Sequence, residues 1–118
     1  EPIRVPLDQW GSPTLVSDLA SAVTVAAFSE LRGTVHMAGP DNLDRLSFAT
    51  RAAELLGFKD VGVEGVRTSE LAQAAKRPLR GGLVTSAAVE GLGLRFRGID
   101  EGLLRVRAAM EAAPEPRD

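Results

Sequence analysis

A broad apolar arc recurs at helical spacing between Asp18 and Leu31, and it limits what the rest of the chain can do. Leu19, Ala22, Val23, Ala26, Ala27 and Leu31 fall on one face of a 3.6-residue period. Val25 and Phe28 widen that face beyond a single stripe. A helix apolar over so much of its circumference needs cover on more than one side, as between a sheet and another layer. Ser17 is the expected N-cap, and Gly33 stands where a left-handed residue would end the helix.

The remaining segments supply partners for it. Thr34–Met37 predicts a short strand, closed by a Gly39-Pro40-Asp41 turn. Asp44 is the expected cap of a helix running to Leu56, with Phe48, Ala52, Leu55 and Leu56 inward and Gly57 at its exit. Val61, Val63 and Val66 alternate as a strand. Thr68 opens a short helix over Ser69–Ala75, which Pro78 keeps from extending. Leu83-Val84 adds an extended pair before a helix over Ser86–Leu92. Asp100 is the expected cap of the last helix, with Ile99 and Leu104 as a hydrophobic staple and Leu103, Val106 and Met110 on its apolar face. Short strands alternating with about five helices predict an α/β fold with α+β character. One domain is expected over residues 1–112, followed by a frayed tail at 113–118.

Composition removes several functions. The chain has 118 residues, 44% of them apolar and 25% charged, as in an ordinary globular domain. A net charge of −2 leaves no basic footprint for nucleic acid or an anionic membrane. The absence of cysteine excludes disulfides and thiolate metal sites, and a single histidine is too few for a histidine-rich metal centre. No apolar run approaches the roughly 18–20 residues that cross a bilayer, and no signal peptide opens the chain. A cytoplasmic protein is therefore the expectation. The chain starts at Glu1 with methionine only at positions 37 and 110, which suggests a fragment or a processed product.

Two segments carry candidate binding chemistry. In Asp8-Gln9-Trp10-Gly11-Ser12-Pro13-Thr14, Trp10 offers a flat apolar face with an indole donor, and Gly11 permits close backbone approach. The pair suits a base or sugar ring; a core anchor beside an ordinary turn is the alternative. Arg77-Pro78, with Lys76 and Arg80 nearby, suits phosphate, because guanidinium forks match phosphate oxygens and proline stiffens the loop. Gly81-Gly82 adds backbone amides, while solvated surface cations are the alternative. His36 reads as a sheet histidine, and Asp41, Asp44 and Asp60 as turn and cap residues. Gly91-Leu92-Gly93 is followed next by Gly98, which is the wrong spacing for a dinucleotide loop.

Three stretches together, DQWGSPTLVSDLA (8–20), RGTVHMAGPD (32–41) and AKRPLRGGL (75–83), resemble the C-terminal, substrate-facing region of the dTDP-4-dehydrorhamnose reductases. These are extended short-chain dehydrogenases acting on nucleotide sugars. The resemblance implies the C-terminal part of that fold without its Rossmann half. It implies Gln9, Trp10, Arg77 and Arg80 as substrate-binding residues for a dTDP-sugar. It further implies that NADPH or NADH binds in the parent protein's Rossmann domain and not in this chain alone. Catalysis in this family uses a tyrosine with a lysine four positions later, and this chain has no tyrosine and no glycine-rich cofactor loop. No residue here is therefore expected to be catalytic. Val84 stands where the family pattern leads one to expect an acidic residue, and no lysine follows. A regulatory or protein-interaction module from the same superfamily is the second reading. Either way, a missing Rossmann domain or partner subunit is expected to cover the apolar helix, with self-association in its absence.

Overall fold

A computed structural model describes residues 1–113. It is an α/β arrangement in which two small sheets and four α-helices surround a thin core. The strand nearest the N-terminus, β1 (Ile3–Pro6), pairs in parallel with β4 (Val63–Val66), in register from Ile3 opposite Val63 to Pro6 opposite Val66. Backbone bonds from Ile3 N–H to Gly62 (2.8 Å) and from Leu7 N–H to Val66 (2.9 Å) extend the ladder. Of the valines expected to form a strand, Val63 and Val66 lie in β4 and Val61 precedes it. β1 is not anticipated, because Pro2 and Pro6 bracket only three residues and read as breakers.

Helix α2 (Arg45–Leu56) covers this parallel pair and also packs against α4 (Ile99–Ala112). Asp44 caps α2 as expected, accepting from the Ser47 amide at 2.8 Å and the Ser47 hydroxyl at 2.7 Å. Gly57 ends it in the left-handed conformation at φ 82°. A Cβ on Gly65 would stand 2.5 Å from the Leu46 side chain, so glycine lets α2 lie close on β4. Helix α3 (Ser86–Leu92) spans the expected residues and ends at Gly93, φ 63°. β2 (Trp10–Gly11) and β3 (Leu43–Asp44) form a second, antiparallel pair.

Several expectations are corrected. Helix α1 runs from Val16 to Ala27 with Leu15, not Ser17, at the N-cap, and Leu31 lies beyond it. Thr34–Met37 forms no strand: among the described residues no neighbour offers it a ladder, and His36 is exposed. Only one 3-10 turn, Thr68–Glu70, forms where a helix to Ala75 is expected. Asp8 takes both the amide and the hydroxyl of Thr68, and the backbone turns extended at Leu71. Leu83-Val84 is unpaired, and Arg80 makes the β-bridge instead, to Trp10. Helix α4 starts two residues earlier than an Asp100 cap implies, with Gly98 at its cap, so Ile99 and Leu104 do not hold staple positions. Asp41 reaches over from its loop to accept the Ile99 amide at 2.8 Å, while Asp100 turns to Arg51. Of the expected tail, residues 114–118 lie outside the described residues.

The molecule is open. Its radius of gyration is 16.7 Å, against about 13.5 Å for a closed domain of this length. Its accessible surface is 8620 Å², against about 6,200 Å² for a compact monomer of this mass. The buried apolar set is small: Ala22, Ala38, Val66, Ala88, Phe96 and Leu103. On α1 the inner residue Ala22 is buried, whereas Phe28, at the helix end, is 90% exposed and Val16 77% exposed. The breadth of the apolar arc is therefore real, and the described residues cover only one side of it.

Candidate functional site

Strand β2 is short because its surroundings determine what pairs with it. On one edge it takes β3, with Trp10 opposite Asp44 and the Arg45 amide donating to Gln9 C=O at 3.0 Å. On the other edge it takes the 79–81 segment: Trp10 N–H donates to Leu79 C=O at 2.9 Å, and Gly81 N–H donates to Trp10 C=O at 3.1 Å. A Cβ on Gly81 would stand 2.7 Å from the Trp10 carbonyl oxygen, so only glycine admits this approach. The result brings Arg80 beside Trp10. Its guanidinium carbon stands 5.9 Å from the centroid of the indole ring, within cation–π range.

Trp10 is 38% exposed and borders an open groove of about 380 Å³. Ser12, Thr14, Leu43, Arg45 and Phe48 complete most of that groove's lining. Trp10, the apolar Leu43 and Phe48, and the charged Asp44 and Arg45 thus share the groove, while Arg80 stands at the Trp10 ring. Such a set can hold a ring and an anion together.

Gln9 points the other way. It is 3% exposed, and its side-chain amide donates to Thr68 Oγ1 and Gln73 Oε1, both at 3.1 Å. Next to it Asp8 accepts the Thr68 amide at 2.9 Å and the Thr68 hydroxyl at 2.6 Å. The hydroxyl bond is the main reason the Asp8 carboxyl is held below its ordinary value. This pair fixes the base of the Trp10 strand from behind. Arg77 is exposed and pairs with no carboxylate among the described residues. The structure thus joins Gln9, Trp10 and Arg80 through one strand, and leaves Arg77 on the loop leading to Arg80.

Sequence patterns gave no warning of Ser12, Asn42, Thr68 or Gln73 as supports. Each acts on a partner 39 to 71 positions away. No local spacing encodes such contacts.

Asp18 and Arg97 form a second polar centre. Asp18 is 8% exposed, accepts the Arg97 amide at 2.8 Å and pairs with the Arg97 guanidinium. This ties the first turn of α1 to the segment entering α4, beside a small apolar cavity lined by Leu15, Phe48, Ile99 and Leu103. Its effect is to hold the two elements together.

A nicotinamide dinucleotide requires a glycine-rich turn that opens a helix towards the pyrophosphate. Here Gly57 and Gly93 have positive φ but close helices, and Gly33 and Gly82 lie in loops. The described residues therefore do not fit that cofactor.

The family model described as RmlD substrate binding domain matches residues 1–111. The chain is 34% identical over 101 residues to the spore coat polysaccharide biosynthesis protein SpsK of Bacillus subtilis (strain 168), covering 86% of this chain and 35% of that protein. Among solved structures it is similar to dTDP-4-dehydrorhamnose reductase from Bacillus anthracis str. Ames in complex with NADP. That match has a TM-score of 0.78 and 29% identity over 96% of this chain and 38% of the reductase. The reductase from Yersinia enterocolitica shares the fold at a TM-score of 0.76 and 22% identity, over 91% of this chain and 37% of that one. The chain thus spans little more than a third of the length of the relatives it matches. On a match that runs over residues 1–111, this chain belongs to the RmlD substrate binding domain family.

Proposed function

We propose that residues 1–112 form one unit, the substrate-gripping wall of an NAD(P)-dependent nucleotide-sugar reductase that acts on a dTDP-linked deoxysugar. The observation that carries this reading is Arg80 set over the half-exposed ring of Trp10, a residue that borders a groove. Trp10 would stack on the base or sugar, while Arg80 and Arg77 would meet the diphosphate through charge-assisted bonds. Gln9 would act from behind, by holding the strand.

The hydride and proton chemistry would come from a Rossmann domain or partner subunit, because this chain contains no tyrosine and its described residues offer no cradle for the cofactor. Two observations support that division. The Bacillus anthracis relative is described in complex with NADP and is more than twice as long as the part matched here. The outer face of α1, with Val16, Val23 and Phe28 exposed, offers apolar surface for such a neighbour to cover. Val84, 80% exposed where the family resemblance leads one to expect an acidic residue, fits a different sugar or none. Among the described residues no helix is long and apolar enough to cross a membrane, and a cytoplasmic setting is part of the proposal.

The test is a titration of dTDP followed by calorimetry, with Arg77→Ala and Arg80→Ala as comparisons. Wild type is expected to bind, and each variant to lose about 1.5–3 kcal/mol, the worth of a hydrogen bond to a charged group. Equal affinity in all three would remove the phosphate role from these arginines.

A further inference from the structure

Four hydrogen bonds attach residues 79–83 to the Trp10 strand, its continuation and the residue that precedes β3. Two are the backbone bonds at Trp10. The other two use side chains: Asn42 Nδ2 donates to Gly81 C=O at 3.0 Å, and Leu83 N–H donates to Ser12 Oγ at 3.2 Å. Asn42 immediately precedes β3, which lies on one flank of β2, whereas Gly81 lies on the other. Its side chain therefore joins the two flanks.

Position 82 is shaped to match. Gly82 adopts φ 129°, a conformation that side chains resist, and a Cβ there would collide with the Asn42 amide. The same Cβ would stand 3.3 Å from Ser12 Oγ. The missing side chain is the space in which the Asn42 amide sits. Residues 72–80 are otherwise exposed, and an exposed cation–π contact is weak alone. Something besides the ring must hold Arg80 in place.

We propose that Asn42 is a positioning residue, which with Ser12 latches the 79–83 loop against β2 and so sets Arg80 over Trp10. Its importance for binding rests on the reading of Trp10 and Arg80 as a substrate wall; the latch itself does not. Asn42 touches no part of the proposed ligand and acts through Arg80.

The test uses the full 118-residue chain, in which Trp10 is the sole tryptophan and reports its own surroundings. Asn42→Ala removes the amide, and Asn42→Asp keeps its size but replaces the donor with an acceptor. In both, Trp10 emission is expected to move to the red and acrylamide quenching to rise, with helix content and melting close to wild type. Ser12→Ala is expected to give the same change in smaller degree. Gly82→Ala is expected to mimic Asn42→Ala, and the two together to fall short of their sum, because the second change finds the amide already gone.

Wild-type emission and quenching in both Asn42 variants would overturn the proposal, as would strict additivity with Gly82→Ala. Loss of helix content on changing Asn42 would also overturn it, since a latch confined to this loop cannot hold the fold. In the dTDP titration the Asn42 variants are expected to bind about three- to tenfold more weakly, the range of one net hydrogen bond. If wild type ignores dTDP while the fluorescence response holds, the latch stands and the substrate reading falls.

Discussion

Asp18 joins two distant segments of the chain from a buried position. It is buried in the first turn of α1 and holds both the amide and the guanidinium of Arg97, 79 positions away. Removing one partner of a buried pair strands the other. Asp18→Ala is therefore expected to cost roughly 2–3 kcal/mol in urea unfolding, below the full buried-pair range because a quarter of the Arg97 side chain remains in solvent. Three other carboxylates give the molecule its acid response. The Thr68 hydroxyl bond depresses Asp8, and the Arg51 guanidinium depresses Asp100. At Asp44 partial burial pushes upward, but the Ser47 bonds outweigh it and the net shift is down. Because each is lowered on folding from an ordinary 3.8, its stabilisation is complete above that value. It is lost as pH falls through the still lower folded values. Denaturant midpoints are accordingly expected to be flat from pH 7 to 5 and to drop below about 4. Asp8→Asn should make that drop shallower, whereas an unchanged acid slope would remove Asp8 from the cause. Of these carboxylates only Asp44 was legible as a cap, because Ser47 is three residues away. The partners of Asp8 and Asp18 lie beyond the reach of any local pattern.

At the scale of elements, legibility followed the source of each element's stability. Helix α2 agrees with expectation because its Asp44 cap and Gly57 stop are local, and α3 keeps its expected span with Gly93 as a local stop. The start of α4 does not, because its first amide is satisfied by Asp41 from another loop. Asp41→Ala is expected to cost about 1 kcal/mol, as for other lost N-caps, and to fray the first turn of α4. Amide chemical shifts of residues 99–102 would report that fraying, and an unperturbed first turn would mean that Gly98 suffices. Thr34–Met37 carries the composition of a strand but has no neighbour here to pair with, so composition alone could not make it one. The Trp10 site divides in the same way. Its aromatic face and its cations were visible in the sequence, but the meeting of Trp10 with Arg80 depends on a strand of two residues and on Gly81, neither of which has a periodic signature.

The whole molecule is an open body with a thin core, and its excess surface is concentrated in identifiable places. The outer side of α1 is left bare and the 34–37 segment is unpaired, with Val35 and Met37 half-buried, while β1, β4, α2 and α4 pack on one another. Bare apolar surface of this kind promotes association between copies. Light scattering is expected to show mass rising with concentration, and Phe28→Asp to suppress the rise; a monomer at every concentration would speak against that. The claim beneath all of this is that the chain forms one wall of a two-part site and is not closed on itself. Hydrogen exchange of the dilute chain alone tests it most directly. Amides of residues 34–37 are expected to exchange at nearly free-chain rates, while those of β1, β4, α2 and α4 are protected by orders of magnitude. Uniform protection that includes 34–37, in a monomer, would describe a self-sufficient globule and contradict it.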